Sequence, residues 1–318
     1  MKCIRLLGVG AFVAAATGGF STVAVADGYH RGGPVFYGCA SNAIVASNNQ
    51  ISVDFASQHV DYVEFNPPNP PYTAPIPVGS PLDSEKGWVP GVSGTASAML
   101  NLGTLCNVYL MGRISYFHGD TDYWQFVGPI GQSGAKILEG DFRVGKGFNV
   151  LPNAMLTPYL GGGLRRWDRD VCASGPCQPG GYHEDYEHGY WGAGLLAQVS
   201  PDSRLVLSLS GLVGRTVGSE INGHAVPGGA ATIVPFHAGL GESAIYKVEG
   251  SADFAFTSHI HGNVGVEYTN FRYGESAPFV CCTGGGLAVE PESRTSNVTV
   301  RVGLGIAFGG DRAPAPLK

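Results

Sequence analysis

Apolar residues occupy every second position near the end of this chain. From Val298 to Phe308 they alternate with polar or small residues such as Thr299, Arg301 and Gly303. Successive side chains of a β-strand point to opposite faces, so this pattern predicts a strand with one apolar and one polar face. Two folds share such alternation: a soluble sheet with one face on a core, and a membrane barrel with lipid outside and polar groups inside.

Nine other segments repeat the pattern less cleanly. The ten predicted strands lie at about 51–65, 91–103, 105–118, 135–146, 154–166, 187–199, 204–217, 243–256, 261–272 and 294–308. The predicted connections alternate between long and short. The long ones lie near 66–90, 119–134, 167–186, 218–242 and 273–293. This rhythm is typical of an up-and-down membrane barrel, with short periplasmic turns and long extracellular loops.

The start of the chain has the pattern of an export signal. Lys2 and Arg5 precede the apolar run Leu6–Ala16, and Ala24-Val25-Ala26 offers a small-x-small cleavage site. The apolar run is too short to cross a bilayer as a helix. We therefore predict a signal peptide at 1–26, a periplasmic lead-in segment at 27–50, a barrel at 51–308 and a disordered tail at 309–318.

Composition agrees with an exported membrane barrel. Charged residues make up only 14% of the chain and the net charge is −6, which excludes the basic footprint of a nucleic-acid-binding protein. The predicted fold class is all-β: a transmembrane antiparallel up-and-down β-barrel of about ten strands.

The last predicted strand resembles the C-terminal assembly signal of bacterial outer-membrane β-barrels. That signal runs from a polar residue through a glycine and an apolar residue to an aromatic one, here Arg301, Gly303, Ile306 and Phe308. In the family the aromatic residue usually ends the chain, but here ten residues follow it. The resemblance implies a small barrel of the omptin size range in a Gram-negative outer membrane. It also implies contact with lipid and lipopolysaccharide, and insertion by the barrel-assembly machinery.

The polar faces of the strands predict which charges enter the lumen. The expected set has five basic and five acidic residues: Arg113, Arg143, Arg165, Lys247 and Arg301 with Glu139, Asp141, Glu249, Asp253 and Glu267. A barrel of about this size is narrow enough for side chains to fill it. Because the charges balance, a lumen bridged by ion pairs is favoured over a narrow channel with a charged constriction.

One set of polar residues admits a catalytic interpretation. Asp120 and Asp122 in one predicted loop, with His183 and Asp185 in the next, are loosely similar to the acidic pair and Asp/His pair of omptins, which are ten-stranded proteases. Such groups can activate water. The spacing departs from the omptin pattern, and polar loops commonly carry such residues, so we predict no catalytic site. We also predict no metal site and no cofactor.

Six cysteines remain after removal of the signal, and an even number in an exported chain favours disulfides. Cys39 and Cys106 are both expected on the periplasmic side, which predicts a bond between them. Cys172, Cys177, Cys281 and Cys282 fall in extracellular loops, and the sequence leaves their connectivity open.

The sequence predicts a non-enzymatic outer-membrane barrel with disulfide-bearing surface loops. Its expected role is structural or surface-interactive, with narrow passage of small solutes left open and no extracellular ligand identified. Two alternatives remain: an omptin-like surface protease and a soluble periplasmic β-protein that binds a ligand.

Overall fold

The computed structural model describes residues 43–68, 75–174, 181–225, 233–282 and 285–308. Nearly all of these residues form β-strands. The helix α1 spans Ala43–Ser47. No helix in the described ranges is long and apolar enough to cross a bilayer.

Ten long strands form the main sheet, and four short strands lie beside it or in the connections. Their bounds are β1 (Gln50–Phe65), β2 (Pro81–Leu102), β3 (Leu105–Gln125), β4 (Gly128–Lys146), β5 (Phe148–Leu151), β6 (Ala154–Ser174), β7 (Tyr182–Val199), β8 (Leu205–Ala225), β9 (Phe236–Gly239), β10 (Ala244–Ala255), β11 (Ile260–Tyr273), β12 (Phe279–Cys282), β13 (Gly286–Ala288) and β14 (Ser293–Ala307).

The ten long strands close into a ring in which every pairing is antiparallel. Around the ring they follow the order β1-β2-β3-β4-β6-β7-β8-β10-β11-β14. Pairing of β8 with β10 and of β1 with β14 leaves no open edge among these strands. In the registers, Phe55 lies opposite Val302, and Lys247 lies opposite Leu212. The expected all-β, ten-stranded antiparallel barrel is confirmed.

The outer face of the barrel exposes apolar side chains, while charged side chains point inward. Ile51, Val53 and Phe55 of β1 are 44–68% exposed, while Asp54 between them is 4% exposed. The same contrast recurs around the ring, with outward Val, Leu, Ile and Phe side chains forming what we call the apolar belt. A soluble periplasmic β-protein would bury these side chains, so that alternative does not fit the structure.

The strands extend well beyond the predicted segments at one end, which we call the upper end. β3 and β4 continue to Gln125 and from Gly128, so the loop predicted near 119–134 is a long hairpin with a short turn at 126–127. β6, β7 and β8 likewise extend into the predicted loops. The prediction of long loops near 119–134 and 167–186 is therefore wrong, whereas the connection between β8 and β10 is still long, at 226–243. Several outward residues of these extensions, such as Asp120, Asp122 and His183, are polar, so the alternation is lost there although the strand continues.

At the lower end, α1 lies against the inside of the barrel. Ile44 is fully buried in the apolar core, and Asn48 just after the helix donates to Gln198 Oε1 at 2.7 Å. This part of the lead-in segment is therefore helical and packed. The predicted signal peptide at 1–26, the rest of the lead-in to residue 42 and the tail at 309–318 lie outside the described residues.

Candidate functional site

Ion pairs cross the interior of the barrel at mid-height. Glu249 of β10 accepts hydrogen bonds from Arg113 Nη2 at 2.7 Å, Arg143 Nη2 at 2.8 Å and Arg301 Nη2 at 2.6 Å. β3, which carries Arg113, stands five steps from β10 in either direction around the ring. The Arg113–Glu249 bond therefore spans the lumen across its diameter.

A second carboxylate joins the same network, which we call the central network. Glu267 of β11 lies 3.3 Å from Arg113 Nη1, 3.5 Å from Arg301 Nη2 and 3.3 Å from Lys247 Nζ. Lys247 in turn donates to Asp141 Oδ1 at 2.6 Å. These side chains are at most 10% exposed. Each buried charge thus has an opposite charge beside it, as a poorly solvated interior requires.

The remaining predicted lumen charges form two separate pairs. Arg165 Nη1 donates to Glu139 Oε1 and also to Gln58 Oε1, which ties β6 to β4 and β1. Asp253 lies nearer the lower end and accepts from His261 Nδ1 at 2.7 Å and from Gln50 at 3.0 Å. The structure places all ten predicted residues inside the barrel, but Asp253 pairs with a histidine rather than with one of the five predicted bases.

A tyrosine reaches the central network through a gap left by a glycine. Tyr190 donates to Asp141 Oδ1 and receives a hydrogen bond from Lys247 Nζ at 3.2 Å. A Cβ on Gly163 would lie 2.8 Å from the Tyr190 hydroxyl. Glycine at 163 therefore keeps space for this contact.

A second buried charge cluster, the upper cluster, occupies the lumen above the belt. Arg169, 1% exposed, donates to Glu85 Oε1 at 2.8 Å, Glu184 Oε2 at 2.8 Å and Glu64 Oε1 at 3.2 Å. Its guanidinium lies 4.8 Å from the centre of the Tyr62 ring. Sequence reasoning missed all four charged residues because it assigned Glu85, Arg169 and Glu184 to loops and did not treat Glu64 as inward.

Carboxyl groups outnumber basic groups in the upper cluster. Glu290 adds a further acid, which accepts from the Tyr186 hydroxyl at 2.5 Å. Burial raises the pKa of Glu184 to about 7, an effect that the neighbouring Arg169 opposes. Burial and the charge of Glu64 also raise the pKa of Glu290 well above its usual range. Burial thus favours the protonated forms of Glu184 and Glu290.

Between the central network and α1 lies a polar cavity of about 120 Å³. Ser47 and Asn48 line it from below, and Arg113, Glu249 and Arg301 from above. Asp54 also lines this cavity and is a further interior acid that the predicted set lacked. Val53 and Phe55, the apolar neighbours of Asp54 in sequence, are the pattern that could have identified Asp54 as inward.

The residues of the catalytic alternative do not face each other across the mouth. Asp120 and Asp122 are exposed on the outer surface of β3, and His183 and Asp185 lie half-buried on the outer surface of β7. Asp120 pairs in register with Gly134, Gly134 with Asp170, and Asp170 with His183, so two strands separate the acidic pair from the histidine. An omptin-like arrangement would need both pairs on facing walls of the mouth.

The cysteines are only partly within the described residues. Cys106 is half-buried at the lower turn between β2 and β3, and Cys281 lies in β12 at the upper end. Cys39 and Cys177, together with the side chains of Cys172 and Cys282, lie outside the described part of the chain. The disulfides remain predictions.

The four residues of the expected assembly signal lie at the end of the barrel wall. Ile306 and Phe308 are 69% and 37% exposed on the outer face, and Arg301 belongs to the central network. A Cβ on Gly303 would collide with Asp54 Oδ1 on the neighbouring strand. Glycine there has a packing reason, and the function of the motif as a signal stays a prediction.

Comparison with known proteins shows likeness at the level of fold. No protein-family model matches the chain, and no curated protein sequence matches it. The outer membrane protease OmpT from Escherichia coli is similar in structure, with a TM-score of 0.52, 11% identity, and coverage of 81% of this chain and 95% of that one.

Two other solved structures are more distant. Neisserial surface protein A has a TM-score of 0.31 at 9% identity, with 81% of this chain and 97% of that chain covered. The Ralstonia pickettii toluene transporter TbuX has a TM-score of 0.34 at 9% identity, with 86% and 92% covered. The closed antiparallel ring, its apolar outer belt and its internal charge network agree with the OmpT likeness: the chain has the fold of a bacterial outer-membrane β-barrel protein.

Proposed function

We propose that this protein is a non-enzymatic outer-membrane barrel with a closed lumen and a structural or surface-interactive role. In this proposal its apolar belt contacts membrane lipid and lipopolysaccharide, and the barrel-assembly machinery inserts it. Its upper connections are exposed at the cell surface, where their cysteines form disulfides. The extracellular ligand, if the protein has one, is not identified by any described contact.

One observation carries the closed lumen: Glu249 is held by arginines from three other strands, and the bond to Arg113 spans the diameter. A solute passing through would have to break these buried pairs. That separation is costly because each charge would be left without its partner. The upper cluster and α1 support the proposal, since they occupy the lumen above and below the network.

Conductance of the refolded protein in a planar bilayer tests the proposal. We expect no steady nanosiemens-scale conductance from the wild type. Removing both ends of the bridge, with Arg113→Ser and Glu249→Ser together, should increase channel openings in protein that still folds. A steady open conductance in the wild type would contradict the closed lumen and favour the narrow pore.

A peptide-cleavage assay distinguishes the non-enzymatic proposal from the alternative of an omptin-like protease. If the wild type cleaves peptides and the pair Asp120→Asn with Asp122→Asn abolishes the cleavage, the non-enzymatic proposal is wrong. The outward positions of Asp120, Asp122, His183 and Asp185 weigh against this outcome.

A further inference from the structure

Three potential metal ligands meet on the outer wall of the barrel above the apolar belt. In β6, Trp167 and Arg169 point inward, so Asp168 and Asp170 lie on the outer face. The register sets Asp168 opposite Asp185 and Asp170 opposite His183. Two adjacent strands therefore present a compact group of carboxylates around one imidazole.

The separations between these atoms match those of ligands around a bound metal ion. His183 Nε2 lies 3.4 Å from Asp168 Oδ1 and 3.7 Å from Asp185 Oδ1. All three ligand atoms lie within 4.8 Å of one another. Zinc–ligand bonds of about 2.0–2.1 Å in a tetrahedron separate ligand atoms by about 3.4 Å. Only small movements would bring the three atoms onto one ion.

Within the described part of the chain, no hydrogen bond is made to Asp168 Oδ1 or Asp185 Oδ1, the two carboxylate oxygens that face His183, and both atoms are shielded from solvent. Asp185 uses its other oxygen, Oδ2, to accept from Arg166 Nη2 at 2.8 Å. A shielded acceptor without a donor costs free energy. A cation between Asp168 Oδ1 and Asp185 Oδ1 would remove that cost.

A third carboxylate orients the imidazole. Asp170 Oδ1 lies 2.8 Å from His183 Nδ1. When Nδ1 carries the ring proton and donates it to Asp170, Nε2 can bind a metal ion on the side of Asp168 and Asp185. Metal-binding histidines are commonly held by such a carboxylate on the other ring nitrogen. Asp170 is therefore a positioning residue.

Besides Arg166, which holds Asp185, a second cation lies near these carboxylates. Lys136 Nζ is 3.7 Å from Asp168 Oδ1 and 3.6 Å from Asp170 Oδ2, and the lysine side chain is 41% exposed. Both distances exceed a hydrogen bond. Lys136 can therefore move toward solvent as an ion enters, and its charge would lower the affinity without blocking the site.

We infer that Asp168, His183 and Asp185 form a binding site for a divalent transition metal, with zinc as the best match. One imidazole and two carboxylates suit zinc and its neighbours. Calcium and magnesium prefer sets of oxygen ligands alone. The bound ion would link β6 to β7 above the belt, a function separate from the closed lumen.

Zinc binding to the refolded, tag-free protein in detergent tests this inference. After removal of metal with a chelator, isothermal titration with zinc and elemental analysis of desalted protein should give one tightly bound zinc per chain. His183→Gln, or Asp168→Asn with Asp185→Asn, should abolish tight binding. Asp170→Asn should weaken binding by about 10–100-fold, as loss of an orienting carboxylate does.

The matched control carries Asp120→Asn with Asp122→Asn, which removes two acids from the same outer face without touching the three ligands. It should bind zinc like the wild type, and heat-dependent gel mobility should verify that every variant is folded. Cobalt substitution should give the visible absorption of a tetrahedral site in the wild type and lose it in His183→Gln. Absence of zinc binding, or equal binding by wild type and folded His183→Gln, would overturn the inference.

Discussion

Glu249 illustrates at the scale of one residue how the barrel interior is held together. It accepts hydrogen bonds from three arginines, and its side chain is 9% exposed. Replacing it by glutamine keeps the size but removes the charge that these arginines share. We predict that Glu249→Gln lowers the free energy of unfolding by about 3–5 kcal/mol, as breaking a buried ion pair does. Urea unfolding in detergent, followed by tryptophan fluorescence, measures this change.

The matched control is an exposed ion pair on the same barrel. Arg215 Nε and Glu242 Oε2 are 2.8 Å apart, with side chains 63% and 42% exposed. Glu242→Gln should change stability by at most about 1 kcal/mol, because solvent screens such a pair. Equal effects of the two substitutions would show that the central network does not carry the stability assigned to it.

The alternation of apolar and polar residues predicted which charged residues face the lumen. It could not predict which of them pair with each other. It identifies Arg113 and Glu249 as inward residues because Ile114 and Val248, next to them in sequence, point outward. Their contact depends on β3 and β10 standing opposite in a ring of ten, which requires the strand number and the register together. The Asp253–His261 pair was missed because the predicted set matched acids only with arginine and lysine.

At the scale of strands, the segments above the apolar belt lack the regular apolar outward pattern of the segments within it. Asp120 and Asp122 point outward on β3 while Thr121 and Tyr123 point inward. Both faces are therefore polar or mixed, and the apolar signal that predicts a membrane strand disappears. The upper cluster and the candidate metal site both lie in these extensions, so the sequence could predict neither.

The upper cluster should make stability depend on pH. Burial raises the pKa of Glu184 to about 7, so the folded protein retains a proton that the unfolded chain releases near pH 4.5. This contribution is fully present below about pH 4.5 and is lost as pH rises through about 7.

The window from pH 6.5 to 8 contains the raised pKa of Glu184, about 7. We predict that the melting temperature of the wild type falls across this window, with a loss of unfolding free energy on the order of 1 kcal/mol. Glu184→Gln should reduce the fall, because glutamine stays neutral beside Glu64 and Glu85. Differential scanning calorimetry provides the measurement. An unchanged slope in the variant would contradict the assignment.

The lower end of the barrel provides a prediction about covalent structure. Cys106 lies at the turn between β2 and β3, the end at which α1 enters the barrel, and Cys39 precedes α1 by a few residues. We predict a disulfide between them, closing a segment of 67 residues. The bond would lower the conformational entropy of the unfolded chain and so stabilise the fold by about 4 kcal/mol. Mass spectrometry of non-reduced peptides should detect the bond, and two free thiols would refute it.

At the scale of the whole molecule, the sequence predicted the closed ring of strands. It did not predict how far the barrel wall extends above the apolar belt. Alternating segments, a predicted export signal and a terminal strand containing Val300 were sufficient to predict a barrel of about ten strands. The ring also explains why this fold suits a membrane: every wall strand pairs on both sides, so its backbone groups need no water. The height depends on strand extensions that carry no lipid-facing pattern.

Ring closure predicts how the protein behaves in SDS. Val300 of β14 pairs with Ser57 on β1 and with Val266 on β11, so β14 is bonded on both sides. We expect the protein in the outer-membrane fraction, with different gel mobility before and after boiling, because SDS cannot open the ring of strands without heat.

Val300→Pro removes a backbone N–H and introduces a pyrrolidine side chain that a central strand cannot accommodate, so it should abolish the shift in mobility. Val300→Ala shortens the side chain but keeps the N–H, and should retain it. Identical mobility of the wild type before and after boiling, or its recovery as a soluble periplasmic protein, would contradict a closed membrane barrel.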